Sequence, residues 1–372
     1  MHDFDIDAER IKLERVLNIE SGGLDFLTSA HSSQVRAFRE DISNAMYQRH
    51  QSNYARLASL SRVIPTGASA KLAETVLGSV LGAGVAGEMD PERAIKLSSK
   101  LSPKFLAKLC IHLEPHRAAR IVSKIPPVTI VEVAQELVRQ EEYITLARFV
   151  TSISDNVLRD ILSSIGSADA LLRVGIFVEQ RESLNTLLEF LSDQRRREIL
   201  QAASDSDMLP QTLVLLTHLT DKMKGEMGDV LVSLGENRMQ SVIDISRDHN
   251  LWEPLILAVA NMQPQNRHKS LSLPALQDVN TVASLLKEID AEQLWPLLAH
   301  LWLDAPEATL TCALNAMLDH SDWQINMLRE MRAADRGAEL KVLMSRVPDD
   351  LAKAFIESAK SHAADQSGAI AG

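Results

Sequence analysis

A five-position apolar phrase, written several times along the chain, constrains this protein more than any other feature. Leu146, Phe149, Ile153, Ile161 and Ile165 are separated by steps of 3, 4, 8 and 4 residues. Leu184, Leu187, Leu191, Ile199 and Ala203 repeat those steps 38 residues later, and Leu106, Leu109, Leu113, Ile121 and Ile125 carry them 40 residues earlier. Looser copies stand at Met227, Val230, Leu234, Val242, Ser246 and at Val282, Leu285, Ile289, Leu297, Leu301. Steps of 3 and 4 set side chains on one face of a helix. A period near 40 residues is that of stacked helical units. The fold expected is therefore all-α, an armadillo-like array.

The residues after the third position support the same division. They are Glu114-Pro115, Ser154-Asp155, Ser192-Asp193, Gly235-Glu236 and Asp290-Ala291. Ser and Asp cap the free N–H groups of a helix start, and proline suits its first position. Each phrase then reads as a short helix, a stop and a second short helix. A third, longer helix follows at Pro127–Gln140 and again at Ser167–Gln180. Three helices per unit are expected, as in armadillo arrays.

The flanks read less regularly. Residues 1–65 are expected to form N-terminal helices, 66–205 the array, 206–362 a C-terminal helical subdomain and 363–372 a flexible tail. Residues 263–276 hold two prolines without a clear period, and the offset between phrases stretches to 55 there, so a loop or subdomain joint is expected. Trp252, Trp295, Trp302 and Trp323 all lie in the last third, which implies larger core side chains in that region.

Composition limits the function classes. A net charge of −11 argues against nucleic acid as the main partner. The densest basic run, Arg195-Arg196-Arg197, reads as a solvated helix face. Cys110 and Cys312 have no metal-type spacing, and Cys110 sits in an apolar pattern as a buried small hydrophobe. The charged N-terminus does not read as a signal peptide, and no apolar run of about 18 residues occurs, so no transmembrane segment is expected. The simplest expectation is a bacterial-style cytoplasmic protein.

Few motifs point to chemistry. Gly82-Ala83-Gly84-Val85-Ala86-Gly87 spells the GxGxxG of dinucleotide sites. That motif works between a buried strand and a long helix, and the lead-in here is helical, so close helix packing at Gly78 and Gly82 is expected instead. His112 and His116 have zinc-ligand spacing, but Pro115 interrupts the helix between them. The acidic positions Glu114, Asp155, Asp193 and Glu236 read as cap residues rather than cation ligands. No catalytic constellation, cofactor or metal is expected.

The segment LSPKFLAKLCIHLEPHRAARIVSKI, with Leu113-Glu114-Pro115 and Ala118-Ala119-Arg120-Ile121, resembles the repeat of the soluble N-terminal domain of MgtE-type magnesium transporters. The likeness covers about residues 88–205 and extends weakly to 302. It implies a right-handed α-superhelix of the kind also found in the flagellar switch protein FliG, a helical interaction module, and magnesium sensing as a remote role. The chain lacks the nucleotide-binding-like modules and the pore that follow in the transporters, so transport is not implied.

The function expected is a non-enzymatic scaffold or adaptor that binds a protein partner. Arg139 and Arg181 occupy matching places at the ends of consecutive third helices and are the candidate partner-binding residues. The alternatives are a Mg2+-responsive regulatory module and an enzyme with a site near residues 250–302.

Overall fold

A computed structural model describes residues 4–369, and among them there are helices and turns but no strand. Contacts divide the chain into two compact units, one ending at Ser192 and the other beginning at Asp193.

The N-terminal unit opens with α1 (Phe4–Leu17) and the long α2 (Ser32–Ser61). Then come α3 (Thr66–Leu72), a π-helical turn at Ala73–Leu77, α4 (Gly78–Glu88) and α5 (Pro91–Ser98). The pairs α6 (Pro103–His112) with α7 (Pro115–Val122), and α9 (Tyr143–Phe149) with α10 (Asp155–Ser164), are each followed by a third helix. Those third helices are α8 (Pro127–Arg139) and α11 (Ala168–Phe177), within three residues of the expected ends, and α12 (Ser183–Glu189) closes the unit. Alternate helices lie on each other: α2 on α4, α4 on α6, α6 on α8 and α8 on α10, beside a second row of α3, α5 and α7.

The C-terminal unit comprises α13 (Asp193–Asp205), α14 (Leu209–Thr217), α15 (Asp221–Ser233), α16 (Glu236–His249), α17 (Trp252–Asn261) and α18 (Pro264–Leu271). It continues through α19 (Val279–Ala291), α20 (Trp295–Trp302), α21 (Glu307–Leu318), α22 (Ser321–Ala333), α23 (Gly337–Met344) and α24 (Asp349–Ala369). Again α13, α15, α17, α19 and α21 stack in order. The pair α15 and α17 approaches closely because Gly225 and Gly228 face Asn261 and Met262 without a Cβ. Trp252, Trp295, Trp302 and Phe355 belong to one buried cluster of this unit.

The phrases fall on consecutive helix pairs, and none of their positions is exposed. Phe149 and Leu187, at equivalent places, are both buried. Stops at Glu114, Ser154, Ser192 and Gly235 each precede a helix; Asp290 does not, since α19 runs on to Ala291 and the next helix starts at Trp295. Asp90, Ser102 and Ser167 accept N–H bonds from Arg93, Phe105 and Ala170 as capping requires.

One expectation needs correction. Residues 263–276 are not a loop. Pro264 takes the first position of α18, a place proline favours, and a short 3-10 turn follows at Pro274–Gln277. The polar residues serve that helix's attachment: Arg267 binds the Ala260 carbonyl at 3.1 Å and Asp304 at 2.6 Å. This inserted helix accounts for the stretched offset. Residues 363–369 continue α24, while 370–372 lie outside the described residues.

Arginines close several helix ends. Free carbonyls at a helix C-terminus attract cationic donors. Arg93 donates to the Ser61 and Ile64 carbonyls after α2, Arg181 to Ile176 at the end of α11, and Arg346 to Trp302 and Leu303 after α20.

Candidate functional site

The residues singled out by sequence do not converge. Gly82, Gly84 and Gly87 lie inside α4, with no strand before them. A Cβ on Gly82 would strike Leu109 of α6, and one on Gly84 or Gly87 would strike Tyr54 or Tyr47 of α2. Their spacing serves helix packing on two sides. Gly78 has open space around it and is needed for another reason, a left-handed φ of +73° where the π turn meets α4. His112 ends α6 and His116 lies in α7, so they share no helix face. Among the described residues no three His, Cys, Asp or Glu side chains gather as metal ligands.

The basic run is not a solvated face. Arg196 is buried and paired with Glu226 at 2.7 Å, Arg195 holds Glu198 at 2.6 Å, and Arg197 donates to Ser233. Glu114 caps no N–H group with its side chain; its carboxylate binds Arg148 at 2.7 Å.

Arg139 and Arg181 differ in place and in environment: Arg139 is the last residue of α8, and Arg181 lies four residues beyond the end of α11. The Arg139 side chain is 69% exposed and pairs with Glu136 one turn back. Arg181 is 10% exposed, bound to Asp5 of α1 and to carbonyls at the end of α11. The neighbouring Glu179 is likewise engaged, by Arg39 at 2.8 Å. Because α1 lies here, only Arg139 of the two remains on a free rim. Sequence could not show this, since Asp5 and Arg181 are 176 residues apart.

A trough in the N-terminal unit is a concave site with partly polar walls. It encloses about 760 Å³, with α2 along one wall and parts of α1, α4, α6 and α9 along the others. Arg49, His50 and Asn53 face it from α2, and Met46, Val80 and Leu81 add apolar surface that is largely exposed. Five Lys or Arg side chains line it (Lys12, Arg15, Arg39, Arg49, Arg148) against one carboxylate, Glu114. Sequence reasoning missed this wall because its cations come from three separate helices, α1, α2 and α9.

The trough is stiffened from within. Tyr47 donates to Glu88 at 2.7 Å, and the Arg117 guanidinium lies 3.7 Å from the centre of the Tyr47 ring. Burial, then the bond to Glu88, holds the Tyr47 phenol above the ordinary tyrosine range, so it stays a donor. Burial and the nearby Arg15 charge lower His112, which is neutral at pH 7. Arg15 binds Glu142, and Thr145 donates to the same carboxylate. Arg49 makes no ion pair among the described residues and is exposed.

Around residues 250–302 the polar groups are spent on structure. Trp252 donates its ring N–H to Ser284 at 3.0 Å, and the Glu288 carboxylate accepts the backbone N–H groups of Trp252 and Glu253. Trp295 and Asn326 both donate to Asp290. The cavity here is about 70 Å³ and its only hydroxyl-bearing walls, Ser270 and Thr309, are hydrogen-bonded inward. No helix of the described residues is long and apolar enough to cross a membrane. No family model, no curated protein and no solved structure matches this chain.

Proposed function

We propose that this chain is a non-enzymatic helical-repeat adaptor and that its N-terminal unit holds an acidic, partly apolar segment of a partner protein in the trough. In this reading the stacked alternate helices form a right-handed, armadillo-like array, and the trough is its binding face. What carries the reading is the cationic wall: in a chain of net charge −11 the trough is lined by five cations and one acid. While Lys12, Arg15, Arg39 and Arg148 are held in ion pairs, Arg49 stands exposed and free of one among the described residues. Complementary charge governs encounter and partner choice, while the exposed Met46, Val80 and Leu81 supply the apolar contact that gives residence time.

The test is affinity capture from the native source, with partners identified by mass spectrometry, using wild type beside Met46→Asp/Arg49→Glu. Both side chains are exposed, so circular dichroism and melting temperature should match wild type. Loss of a specific acidic partner, with binding that weakens as salt rises, is the expected result. Equal recovery of every partner would remove the trough as the binding face. Arg139→Glu, tested separately, asks whether the rim of α8 extends that face.

A further inference from the structure

The N-terminal unit also encloses an apolar cavity, distinct from the trough in volume and chemistry. It measures about 260 Å³ and lies between the row of α4, α6 and α8 and the row of α3, α5 and α7. Its lining begins at Leu57 and Leu60 near the end of α2 and reaches Phe149 and Ile153 beyond α8. The lining therefore draws on several successive helices.

No charged side chain lines it. The polar side chains are three serines and one threonine, Ser61, Ser69, Ser98 and Thr129. The serine hydroxyls donate to backbone carbonyls of Ala58, Ile64 and Ile95. Water needs several polar partners to stay in a buried space, and an apolar cavity of about 150 Å³ stays dry and takes up benzene. This lining likewise offers bound water few partners and favours a hydrocarbon guest. Cys110 lies on the wall, and its apolar surroundings push the thiol up to about 12.

Small residues on the wall, among them Gly82, Ala94, Ala118 and Ala134, are one source of the space; loose packing is another. Leu113, Ile121 and Ile125, members of the first apolar phrase, line it and are only half-buried. In the third phrase the same positions, Leu191, Ile199 and Ala203, are buried. The wall on the α3 side includes Ala73 and Leu77 of the π turn, and Glu74 of that turn accepts both the N–H and the hydroxyl of Ser102 at 2.8 Å. π turns are rare and concentrate at functional sites. Leu60 and Leu72 line the cavity yet are 60% and 40% exposed, which marks its opening. Ser61 and Ser69 stand beside them.

We propose that this cavity binds a neutral, single-chain aliphatic molecule, with its tail along α4, α6 and α8 and a hydroxyl or similar uncharged head at Ser61 and Ser69. Arg93 stands behind this end, donating to the Ser69 hydroxyl and to the Ser61 and Ile64 carbonyls, but it does not line the cavity. A carboxylate head would therefore meet no charged side chain in the lining, and burying it so is costly. The proposal does not depend on the adaptor reading: the trough and the cavity share few residues and call for different ligands.

The probe is 1-decanol, titrated by calorimetry into the full-length protein, with sodium decanoate as the charged comparison. Saturable binding of decanol is expected, with decanoate weaker by at least about tenfold at neutral pH. Val133→Phe and, separately, Leu101→Phe place a larger ring into the space and should abolish decanol binding while leaving the fold intact. Methyl NMR of the wild type needs no variant: shifts should concentrate at Leu101, Ile130 and Val133. Absence of saturable binding, unchanged binding in a folded filled variant, tighter binding of decanoate, or shifts confined to other residues would each overturn the proposal.

Discussion

Gly225 shows how much one missing carbon decides. A Cβ there would sit 2.0 Å from the Asn261 carbonyl oxygen, a backbone atom that cannot swing away. Gly225→Ala should therefore cost about 3 kcal/mol or more, the upper end of overpacking penalties, read by urea denaturation. Gly67, near the start of α3, has nothing within 4 Å of its Cβ site. Gly67→Ala should be neutral or gain about 0.5–1 kcal/mol. Ser246 closes the fourth apolar phrase, fully buried, where the third phrase has Ala203. Its hydroxyl has no hydrogen-bond partner among the described residues, so Ser246→Ala should stabilise by about 1 kcal/mol. Truncating Phe149 to Ala should cost roughly 3–5 kcal/mol, and a loss below about 0.5 would contradict its place in the core. These positions were legible to different degrees. The apolar register was readable because helical spacing alone sets which face is buried. The glycine run was half-readable: its spacing demands close approach, but only the structure shows that tyrosines approach, on one face, and a leucine on the other.

At the scale of the element, α1 is held by charge. Glu9, Lys12 and Arg39 are all buried, and Glu9 binds Lys12 at 2.8 Å and Arg39 at 3.2 Å. Arg36 adds a third contact, and Glu179 accepts from Arg39 at the far side. Burial alone would raise the Glu9 carboxyl, but Lys12 and the two arginines bring it below its ordinary value. A carboxyl lowered in the folded state gives stability that is present above its unfolded value near 4.5 and is lost as pH falls through the folded one. Lys12 is lowered by burial, a cost to stability that is carried while it is charged and relieved as pH rises through its folded value. Acid should thus release α1 first. Glu9→Ala should cost the N-terminal unit about 3–5 kcal/mol at neutral pH and flatten its acid limb, which hydrogen exchange at two pH values can measure. Sequence shows Glu9 and Lys12 one turn apart but gives no sign of Arg39 or Glu179, 30 and 140 or more residues away. The same blindness made Arg139 and Arg181 look alike, since α1 covers only the second. In α18, the polar residues that suggested a loop turned out to anchor a helix.

At the scale of the whole molecule, the two compact units differ in what fills them. The cluster of the C-terminal unit contains three tryptophans, and Trp323 packs against it. The three tyrosines, Tyr47, Tyr54 and Tyr143, all belong to the N-terminal unit. Light absorbed near the red edge of the protein band is therefore emitted by one half of the chain alone, while far-ultraviolet dichroism sums both. Denaturation followed by the two signals should give separate midpoints if the units melt separately, and a single curve if they melt together. Glu9→Ala should move the dichroism curve and leave the emission curve in place. The chain thus carries its own pair of spectroscopic labels, one colour for each half, with no dye attached.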